Sequence, residues 1–192
     1  MKYTQIPTDT FSTLQMNAAI VCTTFNPATG EASGQIGATT GGINFTDVPS
    51  YIDMGEDVDN CPKNTKELMK ADDREVTLST TLVTVKTTTA KLLMASADID
   101  STDATKVTPR KDLKLTDFTD DLWIIGDYSD KNTGATAGYI AIHMLNVLST
   151  GGFAMQTQDK GKGQFAATFK AHYSIEAQDT VPYEMYIKAG TE

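Results

Sequence analysis

Only two cysteines occur in 192 residues, Cys22 and Cys61, and they lie far apart. Without a CxxC pair, neither a zinc site nor a redox motif is expected, and two thiols in a reducing compartment are favoured over a disulfide. No apolar run approaches the roughly 20 residues of a membrane helix, so no membrane association is expected. The opening stretch, MKYTQIPTDTFSTLQMN, has no apolar core of a secretory signal, which implies a chain made in, and kept in, a cytoplasm. Cations are scarce as well. Sixteen Lys and Arg stand against 25 Asp and Glu, giving a net charge of -9 and a pI near 4.6. Tight binding to nucleic acid needs dense Lys and Arg. An acidic wall would instead repel DNA and let it slide past.

Catalytic signatures are missing too. Gly161-Lys162-Gly163 resembles the core of a phosphate-binding loop, but position 156 is Gln where that loop needs its first glycine, and Gly163 stands where it needs Ser or Thr. Alternating residues follow, so a hairpin turn with glycines at positive φ is expected. The stretch 53–60, DMGEDVDN, places Gly55 and Val58 at the third and sixth positions, where a calcium loop wants Asp or Asn and then Gly. A solvated acidic loop is the better reading. His143 and His172 fall on expected strands and could be neighbours, yet no further ligands sit at an obvious spacing, and both read as polar-face histidines. No GxSxG elbow occurs, and Trp123 reads as core. No catalytic residue, cofactor or metal is expected.

What is present is strand material. Hydrophobic residues make up 40% of the chain, and abundant Thr falls beside Val, Leu and Ile. Strands are expected at 18–25 and 31–38, joined by the turn residues Pro27 and Gly30, then at 43–46 and 74–85. More follow at 121–129, 137–149, 152–158, 163–176 and 183–189, with DKNTGATAG (130–138) as a turn-like connector. Ala90, Leu93, Met94 and Ala97 recur at helical spacing, predicting one helix near 88–97 capped by Thr87, Thr88 or Thr89. Residues 98–120 read as a linker or loop. Residues 47–73 lack strand periodicity and carry two prolines and many charges, so they read as a long functional loop. The strand expected over 163–176 would span roughly 45 Å, the full width of a domain of this size, with Phe165, Phe169 and Tyr173 on one face. The fold class is mainly β, a sandwich or partial barrel with one flanking helix, in a single domain.

The stretches GEDVDNCPKNTKEL, KVTPRKDL, LWIIGDYSDKN, LSTGGF, QDKGKGQFAATFKAHYS and DTVPYEMYI resemble the major tail tube proteins of tailed bacteriophages and prophages of Gram-positive hosts. The likeness runs from about residue 40 to the end of the chain. The resemblance implies a tail-tube-like fold and hexameric rings stacked into a hollow, acidic, non-sticking tube through which DNA leaves the capsid. It implies a subunit of the virion tail, assembled in the host cytoplasm, with further copies of itself and the tail terminator, tape measure and distal tail proteins as partners. DNA would pass without specific binding. The long loop and the terminal segments would meet the neighbouring ring, the loop folding on contact. Its contacts would be Tyr51, Ile52, Met54, Leu68 and Met69. Lys63, Lys66 and Lys70 would pair across rings with acids such as Asp53, Glu56, Asp57 and Asp59. Tyr139, Ile140, Ile142, Phe165, Phe169 and Tyr173 would lie on the long ring-forming strands. The inner tube of a phage-like bacteriocin or secretion machine has the same architecture. A monomeric β-sandwich binding module is the other alternative.

Overall fold

A computed structural model describes residues 3, 5–131, 133–134 and 136–191. Of the stretches read above, Met1, Lys2 and Thr4 of the opening segment and Asn132 and Ala135 of the connector lie outside the described residues. The elements in chain order are β1 (Gln15–Asn26), β2 (Glu31–Gln35), β3 (Thr39–Asp53), β4 (Met69–Leu82), α1 (Thr87–Met94), β5 (Ala97–Ile99), β6 (Val107–Pro109), β7 (Thr119–Tyr128), β8 (Tyr139–Ser149), β9 (Ala154–Gln156), β10 (Gln164–Lys170) and β11 (Tyr183–Lys188). The protein is mainly β with one helix, as its Thr-rich alternation predicts.

All ladders among the described residues are antiparallel, and β8 is the strand shared by the two sheets. On one side β8 pairs with β7 along most of its length. On the other, Tyr139–Met144 pair with β11, while Leu148 and Ser149 pair with β10. One sheet therefore runs β2-β1-β7-β8-β11 and the second runs from the end of β8 through β10 and β4 to β3, with β9 also on β10. The hand-over falls at Asn146, whose φ of 50° kinks the strand. Its amide Nδ2 donates to the His172 carbonyl at 3.2 Å, and His172 N donates to the Leu145 carbonyl. The 98–120 segment is more than a linker. It holds the β5–β6 hairpin, and Arg110, just after β6, pairs with Asp98 on β5 (2.7 Å) and ties the hairpin to Asp117 (2.5 Å).

The main core lies between the sheets. Val21, Leu122, Met144 and Val147 face Val76, Leu78, Leu82 and Phe169, all fully buried. Burial of each such side chain stabilises by about 1.5–3 kcal/mol. Helix α1 inserts Leu93 into this core. Its neighbours anchor it: Ser149 Oγ donates to the Leu93 carbonyl at 2.8 Å, and Thr89 Oγ1 donates to the Ile36 carbonyl at 2.6 Å. Thr89 is thus used for docking, and the cap position is Lys86, with no side-chain capping bond. On the other face of the first sheet, Cys22, Phe25, Trp123 and Ala141 form a second cluster, with Phe25 meeting Trp123 and Tyr139 at ring distances of 5.3 and 5.0 Å.

Several boundaries differ from the sequence expectation. The strand expected over 163–176 ends at Lys170, half as long. Ala171 N still bonds the Val76 carbonyl, but His172 turns to β8, and Ile175 beyond it is 85% exposed. In the β9–β10 turn it is Lys160, at φ 54°, that takes the left-handed conformation, and neither Gly161 nor Gly163. The strand expected over 43–46 runs on for fifteen residues. It passes through a bulge at Gly41-Gly42, both at positive φ, and a second near Pro49.

Candidate functional site

The segment read as a loop at 47–73 is strand at both ends. The β3–β4 ladder continues from Asp47↔Val76 to Asp53↔Met69, so the connection itself is only 54–68. Pro49 has no N–H to donate, and it sits where the register shifts by one residue. Ser50 closes the bulge: its Oγ accepts from Asp73 N at 3.1 Å and donates to the Asp73 carbonyl at 3.3 Å. Met69–Asp73 and Ser50–Ile52 are exposed on both faces. Among the described residues this stretch pairs only with itself, and it forms an arm. From Val48 to Asp53 it extends roughly 20 Å beyond the core.

A half-buried polar latch holds the root of the arm. Asp47 Oδ2 accepts from Arg74 Nη1 and from the Tyr183 hydroxyl, the latter at 2.8 Å, which joins β3, β4 and β11. Burial, and then the neighbouring Asp47 carboxylate, push the Tyr183 phenol above its usual range. Asp47 Oδ1 is buried without a partner among the described residues. Tyr173 reinforces the root by accepting a bond from Arg74 N at 3.2 Å.

The tip is a small folded unit. Asp53 accepts from Gly55 N (2.9 Å) and Asn64 N (2.8 Å), and these backbone bonds hold its carboxyl below the usual value. A Cβ on buried Gly55 would lie 2.8 Å from Leu68 Cδ1 and 2.9 Å from Cys61 Sγ, so any side chain there would have to displace both. Leu68 is therefore part of the tip's own interior. Lys63 pairs with Glu56 at 3.6 Å and Lys66 with Glu67 at 3.6 Å, both exposed and so weak. Asp57, Asp59 and Lys70 are exposed. The arm's outward apolar residues are Tyr51 (59% exposed), Ile52, Met54 (60%) and Met69, together with Val48 and Val58, which sequence reading passed over. Asp53→Asn should keep the subunit folded but loosen the tip, seen as faster amide exchange at Gly55 and Asn64. The Asp53 carboxylate is favoured in the folded tip. Its stabilising effect is thus complete above the ordinary Asp pKa and is lost as pH falls through the lower folded value. Wild-type protection at these two amides should accordingly persist at pH 3.8.

The residues expected on ring-forming strands divide. Phe165 and Phe169 are core. Tyr139, Ile140 and Ile142 are half-buried, Tyr139 Oη donating to the Pro27 carbonyl at 2.5 Å. Tyr173 is 38% exposed beside the arm's root. The two histidines have separate partners. His143 stacks on Trp123 (3.9 Å) and meets Asp121 Oδ1 at 2.5 Å, whereas His172 meets Phe118 edge-on. Among the described residues no group of His, Cys, Asp and Glu could hold a metal, and no helix is long and apolar enough to cross a membrane. Both cysteines are free.

The outer face of the second sheet is poor in charge. One cross-strand row is Thr40, Thr81, Ala166 and Ala154; the next is Asn44, Ser79 and Thr168. Thr46, Thr77, Lys170 and the half-buried Leu148 form the third row, and Val48 and Glu75 the fourth. Lys170 Nζ lies 2.9 Å from Glu75 Oε1, one residue pair further on. At the side of this sheet, β3 pairs with β4 alone among the described residues, leaving its other backbone edge open over the straight stretch Ile43–Pro49. β11 is likewise the border of the first sheet. No family model matches the chain, and no curated protein matches it.

Proposed function

We propose that the protein is a structural subunit that closes into rings through its sheet borders and stacks those rings through the β3–β4 arm. This is the assembly of the tail tube proteins it resembles. The observation that carries the reading is the arm itself: a ladder that, among the described residues, pairs only its own two strands and presents Tyr51, Ile52, Met54 and Val58 to solvent. Exposed apolar groups on a projecting ladder have no use in a monomer and need a partner surface. The open edges of β3 and β11 support lateral closure, since cyclic pairing removes free edges that otherwise invite aggregation. Such rings would be hexameric and would stack into the hollow tube of a virion tail, with the terminator, tape measure and distal tail proteins at its ends and bore. Negative-stain imaging over a concentration series tests this. Stacked annular particles are the expected outcome, and a monodisperse monomer at every concentration overturns the reading.

A further inference from the structure

The two ends of β10 carry features that have no role within one subunit. Before it, the connection 157–163 runs past the end of the second sheet where β3 begins and β4 finishes. Gly161 N donates to the Gln158 carbonyl at 3.1 Å, and Lys160 is left-handed. Lys160 and Lys162 are therefore held exposed on a closed turn, and neither has an ion-pair partner among the described residues. Met155 on β9 sets an exposed apolar side chain beside them. Beyond the other end of β10, an open groove of about 560 Å³ lies between the start of β7, the Asn146 kink and residues 172–176. Phe118 and His172 line it, and Leu115 and Ile175 stand on it, 90% and 85% exposed. Asp120 and Glu176 also line it, exposed and without an ion-pair partner among the described residues.

Resting on the stacking proposed above, we infer that the Lys160–Lys162 turn of one copy seats in this groove of the next, as a second contact beside the arm. The groove lies at the arm's root, since Ala171 bonds Val76 there and Tyr173 bonds Arg74, whereas the turn projects from the opposite end of the same sheet. Copies stacked head to tail bring those two ends together, and such a contact is heterologous: one surface meets a different one on its neighbour. The surfaces are complementary. Two unpaired ammonium groups meet two unpaired carboxylates, and Met155 meets the rim of Leu115 and Ile175. Covering that rim with apolar surface excludes water, which strengthens the charge pairs inside it. Gly161 and Gly163 have no side chains, so Lys162 stands on a narrow stem that can enter a groove. The Gly-Lys-Gly stretch, which lacks the pattern of a phosphate loop, thereby acquires a protein carboxylate as its counter-charge.

The test measures sedimentation of stacked particles, verified by imaging, over a concentration series. Lys160→Glu/Lys162→Glu should raise the concentration needed for stacking by about tenfold or more, as expected for close charge pairs across an interface, and Asp120→Lys/Glu176→Lys should do the same. All four changes in one chain should restore stacking at the wild-type concentration. Adding Glu31→Lys, Ser101→Lys and Ala104→Lys to the turn variant gives the same total charge away from the groove, and should restore nothing. Every substituted position is exposed, so melting temperatures should stay at the wild-type value. The inference is overturned if either charge-reversed pair stacks like wild type, if the four changes together fail to recover stacking, or if the charge-matched control recovers it equally. In each of those cases wild type still stacks, and the role of the arm stands. Wild-type protein that never stacks overturns the assembly reading, and this inference with it.

Discussion

Replacing residues 50–73 with Asn-Gly should give a subunit that folds normally and never stacks. The excision cuts at the Pro49↔Arg74 pair, so a two-residue turn can close the remaining ladder. Every fully buried core side chain, from Val21 to Phe169, lies outside the removed segment. The Asp47–Arg74–Tyr183 latch also stays, since each of its members is retained. Thermal unfolding should therefore shift by only a few degrees, while stacked particles disappear from images at concentrations where wild type forms them. Single rings could persist, because the β3 border over Ile43–Pro49 is untouched. Tubes formed by the shortened chain would refute the role given to the arm. A collapse in thermal stability would instead show that the arm belongs to the body of the domain.

Phe169→Ala should cost about 3–5 kcal/mol, the usual range for emptying a buried aromatic site. Phe169 is fully buried between Leu78, its cross-strand neighbour on β4, and the side chains of the first sheet. For a chain of this length each kcal/mol lowers the melting temperature by roughly 2–4 °C, so a drop near 10 °C is expected. Tyr51→Ala on the arm should leave the melting temperature almost unchanged and weaken stacking. The pair separates two kinds of apolar residue that look alike in the sequence. A Phe169→Ala variant that melts like wild type but fails to form rings would place Phe169 at a subunit contact instead of in the core.

Much of the fold is legible because its strands carry their own pattern. In β7, Leu122 and Ile124 face the main core while Trp123 faces the second cluster, and in β10 Phe165, Ala167 and Phe169 alternate inward. The helix is legible from Leu93 and its neighbours for the same reason. The arm has no such pattern, since a ladder exposed on both faces gains nothing from alternation. Its strands are specified by pairing with each other, and Pro49 looks like a strand breaker until the bulge that accommodates it is seen. The early end of β10 was hidden for a different reason. Tyr173 and Ile175 continue the apolar alternation, but the kink at Asn146 draws His172 across to β8, and no local signal in 163–176 records a partner 26 residues away. Tyr51, Ile52, Met54 and Met69 are exposed apolar residues of one segment, and that much is readable from the sequence. The inward role of Leu68 depends on Gly55 and Cys61, which meet it only through the fold of the tip.

The arm is built from the same two strands that cross the second sheet, continuous through the Ser50-bridged bulge at Pro49. A pull on the tip is therefore delivered lengthwise into β3 and β4, while the ladder bonds lie perpendicular to the strands. Those bonds are loaded sideways and all at once, rather than being peeled one by one. A filament joined by such arms would resist stretching as a stiff rod does, and would yield at its docking contacts before any subunit unravelled.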